Sequence, residues 1–287
     1  MALMEGQVQV RDLVMGPGTP FTLFRFNPWQ RNVRATSNPR AWAHGTWSGA
    51  EWADEKIIPL RIIVADDPVT RASWFELDQQ LAEAFAPVED TGRDVEMTFR
   101  WGGRDFLVFG RPRMVDPDVE RVGGGWTLTQ AAFVANDPFV YAAEATIAGP
   151  ISLPRFSAGL VFPAVFPFGI DARLVGGELA LVNEGRARTG LVIRLDGPID
   201  SPRVSLVRPD GSTQQLRFHF ALDAGEHVLV DTAARTVFLN GQPEASVRGL
   251  VSGDFPVLPP GESQLRFRAA EHNDIASMSA TFRSAWR

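Results

Sequence analysis

The stretch Ala135–Tyr141, with the sequence ANDPFVY, divides the chain into two unlike halves. Within it, Asp137-Pro138 interrupts regular structure, because proline lacks a backbone donor and pushes the preceding residue towards an extended conformation. Phe139 and Tyr141, the only tyrosine of the chain, then lie on one side of an extended segment. Two interpretations fit this pattern. The stretch is either a well-packed strand end or an inter-domain hinge formed by Asp137, Pro138, Phe139 and Tyr141.

The composition predicts a folded protein of two domains and excludes some chemistry. A chain of 287 residues is too long for one ordinary core. Its 45% hydrophobic and 22% charged residues are typical of a folded soluble protein. The net charge of -6 gives no basic footprint for nucleic acid. The chain has no cysteine, which excludes disulfides, thiol catalysis and cysteine-bound metals.

The sequence predicts neither an export signal nor a membrane helix. The first residues, MALMEGQVQVRDLV, lack the basic region followed by an apolar one that defines a secretory signal. The longest uncharged run, Phe156–Ile170, is shorter than the roughly 20 residues of a membrane helix and contains Pro163 and Pro167. We therefore expect a soluble protein that is made in a cytoplasm and does not insert into a membrane.

The first half, residues 1–141, predicts a β domain with a single helix. Apolar alternation and β-branched runs indicate strands at Val8–Val10, Phe21–Phe26, Lys56–Ala65, Val95–Trp101, Arg104–Gly110 and Trp126–Val134. A stripe at helical spacing predicts a helix at about residues 70–85, with the apolar residues Trp74, Leu77, Leu81, Ala84 and Phe85. A helix with one apolar face packs against a sheet, so we expect this face and Trp101 to form the domain's core.

The segment Asn27–Glu55 shows little regular pattern but holds four of the eight tryptophans. A long irregular segment in a compact domain is often functional, and tryptophan is favoured at the buried centres of interfaces. The sequence thus predicts a subunit interface, with capping of the domain's own core and a sugar-binding platform as alternatives. The candidate interface residues are Trp29, Trp42, Trp47 and Trp52.

The second half predicts an extended crossing followed by a β-sandwich. Residues 142–175 are rich in proline and phenylalanine, which disfavours a helix and indicates an extended segment packed against a domain. Residues 176–287 show seven or eight short apolar runs parted by turns such as Asp210-Gly211 and Asn240-Gly241. Strands at this spacing predict an antiparallel sandwich.

No arrangement of residues points to catalysis, a metal or a cofactor. The chain lacks the motifs of serine hydrolases, zinc proteases and nucleotide-binding loops. His219 and His227 could meet across a hairpin, but no carboxylate motif accompanies them. A glycosidase needs two facing carboxylates, and no such pair stands out among the 34 acidic residues. The acidic residues Asp116, Asp118 and Glu120 lack the glycine and distal glutamate of an EF-hand, so we predict a solvated acidic turn there. We predict a protein that is not an enzyme and holds no metal or cofactor.

The order of these pieces resembles the distal tail proteins (Dit) of long-tailed, siphovirus-type bacteriophages. In the first half the resemblance lies in the helix LDQQLAEAF, the sheet hairpin after it and the closing NDPFVY. In the second half it lies in LVNEGRARTGLVIRLDGPIDSPRVSLV, HVLVDTAARTVFLNGQ and GDFPVLPPGESQLRF. It spans nearly the whole chain, and its best parts are the Asn-Gly hairpin and the Pro-Gly ending. The tryptophan-rich segment matches no motif of the family.

This resemblance implies a mainly β fold with two domains. The N-terminal one is a β-sandwich with one flanking helix, related to tail-tube subunits, and the C-terminal one is an antiparallel sandwich like those of galectins and carbohydrate-binding modules. It also implies a structural protein of the virion tail tip, or baseplate, assembled in the host cytoplasm. The implied partners are the chain itself as a homohexameric ring, the tail tube protein, the tail hub or tail-associated protein, and receptor-binding proteins carried by outward domains. DNA passes through the channel of such a ring.

Three other interpretations of the chain compete with this one. The runner-up is a lectin-like, carbohydrate-binding adhesion protein without catalysis, although Trp286 is the only tryptophan of the second half. A cell-wall hydrolase comes third. The fourth interpretation keeps the fold but places it in a prophage element or a cellular injection apparatus.

Overall fold

The structure, a computed structural model, describes residues 2–89, 92, 94–118, 124–157 and 173–287. The chain forms two compact units, residues 1–144 with Arg287 and residues 145–286. Both units are built from antiparallel strands, and the described residues contain one α-helix. The fold is therefore mainly β with a single helix, as the sequence and the resemblance predict.

The N-terminal unit begins with short strands and contains the helix between two long ones. Its elements are β1 (Val8–Val10), β2 (Leu13–Met15), β3 (Phe21–Phe26), β4 (Val33–Pro39), β5 (Thr46–Ala53), β6 (Lys56–Ala65), α1 (Trp74–Ala84), β7 (Val95–Trp101), β8 (Arg104–Pro117), β9 (Trp126–Ala135) and β10 (Val140–Ala142). The strands predicted in this half all occur, and the one that starts at Arg104 extends past Gly110 to Pro117.

Strand β8 connects the two parts of the N-terminal sheet. Its first half pairs with β7 up to Gly110, and its second half pairs with β9. The strand order is β2-β1-β7-β8-β9-β6-β3, with β10 also paired to β8. At the change of partner a Cβ on Gly110 would lie 2.3 Å from the carbonyl oxygen of Val134 and 2.7 Å from the Phe133 ring. This close approach of two strands requires glycine.

The helix α1 begins at Trp74, later than the predicted position near residue 70. The reason is a capping box, in which the Ser73 Oγ accepts from the Glu76 N–H at 3.3 Å and Glu76 Oε2 accepts from the Ser73 N–H at 2.9 Å. Arg71 has φ 61 and is outside the helical region. The cap therefore sets the helix start at Trp74, the first residue of the apolar stripe.

The apolar face of α1 packs into the N-terminal core, where Leu77 and Leu81 are buried. The same face buries Asp78, whose Oδ1 accepts a hydrogen bond from Thr129 Oγ1 at 2.6 Å. Trp101, by contrast, is 49% exposed, and its predicted place in the core is wrong. Trp101 is the last residue of β7 and lies opposite Arg104 at the hairpin turn. Phe99, two residues earlier in the same strand, is buried in the core.

The C-terminal unit consists mainly of two five-stranded antiparallel sheets. Its strands are β11 (Thr146–Ser152), β12 (Arg155–Ser157), β13 (Arg173–Val175), β14 (Glu178–Asn183), β15 (Val192–Asp196), β16 (Ile199–Asp200), β17 (Arg203–Val207), β18 (Thr213–Phe218), β19 (Ala221–Leu222), β20 (His227–Asp231), β21 (Thr236–Leu239), β22 (Val251–Gly253), β23 (Gly261–Arg268), β24 (Ser277–Phe282) and β25 (Ala285–Trp286). One sheet has the order β11-β24-β15-β20-β21 and the other β14-β23-β17-β18-β22.

The inward side chains of both five-stranded sheets form one apolar core, which includes Ile193, Val204, Phe267 and Met278. This arrangement is the predicted antiparallel sandwich. Part of the segment predicted as a crossing, residues 142–175, belongs to this unit, because β11 pairs with β24. Residues 158–172 of that segment lie outside the described residues.

Candidate assembly site

The most exposed element of the N-terminal unit is the hairpin formed by β4 and β5. Every residue of both strands is exposed. Among the described residues the two strands pair only with each other, from Val33 opposite Ala53 to Pro39 opposite Thr46. The expectation of an irregular segment at Asn27–Glu55 is thus wrong. The strands show no apolar alternation because neither of their faces is buried.

A β-bulge places two tryptophans on the same face of this hairpin. The register shifts between Ala35 and Ser37, and a Cβ on Gly49 would lie 2.1 Å from the Thr36 carbonyl oxygen. The extra residue of the bulge reverses the alternation of β5. Trp47 and Trp52, five residues apart, therefore point to one side, opposite Asn38 and Arg34 respectively. Regular alternation would have put them on opposite sides.

Three of the four predicted interface tryptophans are brought together on the hairpin. Trp42 at its tip is 100% exposed, Trp47 65% and Trp52 60%. The guanidinium of Arg40 lies over the Trp47 ring, 4.6 Å from its centroid. Each of the three side chains is more than half exposed, so the hairpin presents them to solvent together with cationic side chains.

Trp29, the fourth, lies in the aromatic cluster of the N-terminal core. Its ring is edge-on to Phe99 at 5.9 Å and to Phe106 at 5.1 Å between centroids. These contacts correspond to the core-capping alternative for this residue. A role of Trp29 in an interface stays a prediction. We call the β4–β5 hairpin, which carries the other three tryptophans, the tryptophan hairpin.

The predicted hinge residues lie in the N-terminal unit, a few residues before its end. Asp137 accepts hydrogen bonds from the Phe139 N–H at 3.0 Å and from the Tyr141 hydroxyl. Tyr141 pairs in β10 with Leu107 of β8. Burial, and then the neighbouring Asp137, raise the pKa of Tyr141. Asp137, Pro138, Phe139 and Tyr141 thus form a hydrogen-bonded turn, and their role as a hinge stays a prediction.

The burial of Lys56, the only lysine, is a feature that sequence reasoning missed. It is 1% exposed, and its Nζ donates to the Pro28 carbonyl oxygen at 3.0 Å. Burial, and to a smaller extent the charge of Arg31, lower the pKa of Lys56 from 10.5 to about 8, while the charge of Asp137 opposes this change. The alternation of β6 could have revealed this position, because Lys56 is in step with the buried Ile58.

A cavity of about 230 Å³ lies at the base of the tryptophan hairpin. Trp52, Lys56, Pro138 and Phe139 are among the residues that line it. The structure therefore brings part of the predicted interface and part of the ANDPFVY stretch to one place, around the buried lysine. Most of the remaining lining residues are charged or carry a side-chain amide, so the cavity has a mixed wall.

The described residues hold no group of three His, Asp or Glu side chains that could bind a metal. His219 contacts Ser252 Oγ at 2.7 Å and has no part in a metal site. Asp116 lies within β8, so the predicted acidic turn is wrong at this residue. None of the helices in the described part of the chain has the length and apolar character needed to cross a bilayer.

Comparison with known proteins gives one family match and several similar folds. Residues 184–286 match the sequence profile of the family described as siphovirus-type tail component, C-terminal domain (SPP1 Dit). SPP1 Dit, described as a paradigm of the hub adsorption apparatus in phages that infect Gram-positive hosts, has a similar structure, with a TM-score of 0.61 and 16% identity over 93% of this chain and 94% of that one. No curated protein sequence matches the chain.

The baseplate of phage p2 in its activated conformation also contains a similar chain. With calcium the TM-score is 0.51 at 9% identity over 98% of both chains, and with strontium it is 0.50 at 8% identity over 96% of both. These likenesses concern the fold, and the family profile concerns the C-terminal unit. Residues 184–286 thus match the Dit family of siphovirus-type tail components, and this match and the similar fold together support a Dit-like structural component of a phage tail.

Proposed function

We propose that six copies of the chain form a closed ring that joins the tail tube to the tail hub and presents the C-terminal sandwiches to receptor-binding proteins. The observation that carries this proposal is the tryptophan hairpin, whose strands are exposed along their whole length. Copies of one chain close into a ring through heterologous contacts, in which one surface of a subunit binds a different surface of the next.

The hairpin has the properties of the projecting half of such a contact. An isolated two-stranded hairpin is marginally stable in water, and the rings of Trp42 and Trp47 gain nothing from the subunit's own core. Packing against a neighbouring subunit would bury these rings and stabilise the hairpin. Arg34, opposite Trp52 on the same face, adds a cation that can pair with an acidic group of the neighbouring subunit.

The context of the ring follows from the similar proteins. SPP1 Dit is described as part of a hub adsorption apparatus, and the p2 chain belongs to a baseplate. By analogy, we place this chain at the tail tip of the virion, assembled in the host cytoplasm, with the tail tube protein above it and the hub or tail-associated protein below. Its role is structural and non-catalytic, and DNA passes through the channel of the ring.

The experiment compares assembly of the parent chain with that of a Trp42→Ala/Trp47→Ala variant, by sedimentation velocity over a range of concentrations. Removing a tryptophan anchor from an interface costs about 2 kcal/mol or more, equivalent to about 30-fold weaker association. The variant should therefore shift from the assembled species to the single chain. Trp101→Ala is the matched control, because Trp101 is also half exposed but lies outside the hairpin.

Thermal unfolding of the same three proteins separates assembly from folding. As a single chain, the Trp42→Ala/Trp47→Ala variant should unfold at the same temperature as the parent, since both rings are largely exposed in the single chain. Equal assembly of the hairpin variant and the parent, or equal loss of assembly in the Trp101→Ala control, would show that the hairpin is not the contact.

A further inference from the structure

We propose that the C-terminal sandwich carries an anion-binding pocket for a ligand that bears a phosphate or carboxylate group. The pocket has a volume of about 650 Å³, within the range of about 300–1,000 Å³ that is typical of small-molecule sites. It lies wholly within the C-terminal unit. Its wall includes Arg188, Arg208, Arg235 and Arg248.

Backbone hydrogen bonds fix the positions of the first two arginines. Arg208 follows β17 and closes the turn to β18, since its N–H donates to the Ser212 carbonyl oxygen at 2.9 Å. Arg188 precedes Thr189, which forms two backbone hydrogen bonds of 2.9 Å with Leu258. Both arginines therefore project from well-ordered chain and not from loose loops.

The other two arginines come from turns beside the same pocket. Arg235 lies between β20 and β21 with φ 56, in a turn where Asp231 Oδ1 accepts from two backbone N–H groups at 2.9 Å. Arg248 begins the short 3-10 turn Arg248–Leu250 and donates to the Val251 carbonyl oxygen at 3.0 Å. Four separate segments thus direct a cation to one concave surface.

The positive charge of the pocket is largely unpaired. Within the described ranges, none of its four arginines has a carboxylate oxygen within 4.0 Å. The Nε of Arg208 is buried and has no hydrogen-bond partner. A buried donor without an acceptor is costly, and the exposed guanidinium groups of Arg188 and Arg235 remain available to a ligand.

The two acidic residues of the wall do not cancel this charge. Asp210 and Asp254 face four arginines. Asp210 Oδ1 already accepts from the Ser212 N–H at 2.9 Å and from the Ser212 hydroxyl at 2.6 Å. The pocket therefore retains net positive charge and several free guanidinium N–H groups.

This chemistry selects an anion over a neutral sugar. Guanidinium groups bind phosphate and carboxylate through paired hydrogen bonds. A neutral sugar is usually held by an open aromatic face, but Phe255 is 8% exposed and lies beneath the Arg248 guanidinium, 4.7 Å from its ring centroid. The expected ligand is a small acidic molecule, or one phosphorylated or uronic unit of a glycan polymer. This inference does not depend on ring assembly.

Isothermal titration calorimetry of the full chain tests the pocket with glycerol phosphate, glucuronate and glucose as probes. We expect saturable binding of at least one anionic probe, weakened by added sodium chloride, and no binding of glucose. The anionic probe that binds more tightly indicates whether the pocket prefers a phosphate or a carboxylate group. An Arg188→Gln/Arg235→Asn variant, which changes two exposed side chains, should bind about tenfold or more weakly.

Asparagine suits position 235 because it tolerates positive φ, so this variant should fold like the parent. The matched control is Arg217→Gln, an exposed arginine of β18 outside the pocket, which should leave the affinity unchanged. Absence of saturable binding by both anions, tighter binding of glucose, or equal losses in the pocket variant and the control would overturn the proposal. Failure of these tests would leave the assembly experiment untouched.

Discussion

Stability at alkaline pH should be governed by Lys56 and Tyr141, because the chain has no other lysine or tyrosine and no cysteine. Burial lowers the pKa of Lys56 from 10.5 to about 8. Below about pH 8 the folded chain must hold a buried ammonium. Between about pH 8 and 10.5 the folded chain has released this proton while the unfolded chain still binds it, so the free energy of unfolding rises with pH.

The size of this effect follows from the two pKa values. Each unit of pKa corresponds to about 1.4 kcal/mol, so the full difference is about 3 kcal/mol, of which about 2 kcal/mol should be recovered between pH 8 and 10. Tyr141 reverses the trend at higher pH. Its pKa is raised by burial and by Asp137, so above about pH 10 the unfolded chain loses the phenolic proton first and stability falls.

Urea unfolding between pH 7 and 11, followed by tryptophan fluorescence, measures this profile. Seven of the eight tryptophans lie in the N-terminal unit, which also holds Lys56 and Tyr141, so the fluorescence reports mainly on that unit. A Lys56→Met variant should lose the rise between pH 8 and 10 and be at least as stable as the parent at pH 7. The Tyr141→Phe variant is the control and should keep the rise but lose the fall.

A rise that persists in the Lys56→Met variant would refute the assignment of the rise to the buried amine. A flat parent profile between pH 8 and 10 would show that the amine is hydrated in the folded chain.

Three further predictions concern the packing of the N-terminal unit. Leu81→Asp should leave little soluble protein, because Leu81 is 0% exposed and the new charge would be buried unpaired. Normal solubility and an unchanged melting curve of this variant would contradict the helix packing. Gly110→Ala should lower the free energy of unfolding by roughly 1–3 kcal/mol, since its Cβ would lie 2.3 Å from the Val134 carbonyl oxygen, and a melting temperature equal to the parent's would argue against the strand crossing. Ser73→Ala should lower the free energy of unfolding by about 1 kcal/mol, because it removes the N-cap. Urea unfolding can measure this loss, and Gln79→Ala on the exposed face of the helix should not cause it.

The strands and the helix could be predicted because burial of one face requires apolar residues at regular spacing. The strand Lys56–Ala65 has the predicted bounds, and every second residue along it is buried. The helix start is set by the capping box of Ser73 and Glu76, whose spacing the sequence shows, whereas the predicted start near residue 70 followed from Asp67-Pro68. Where one face of a strand or helix is buried, the spacing of apolar residues therefore predicts the element and which of its residues point inward.

The assembly site could be predicted only in part, because exposed elements leave no such pattern. The sequence shows the tryptophans and so allows them to be named as interface candidates. It has no periodic pattern that predicts the bulge at Gly49, which turns Trp47 and Trp52 to one side. The arginine pocket was missed for a related reason. Its members are up to 60 residues apart in sequence, from Arg188 to Arg248, and only the sandwich brings their turns together.

The ring is the central claim, and native mass spectrometry of the purified chain across a range of concentrations tests it most directly. The account predicts a discrete species of six copies whose share grows with concentration and falls when Trp42 and Trp47 are both replaced by alanine. A chain that remains single at every concentration, or that forms a defined species with another number of copies, would contradict the proposed six-membered ring.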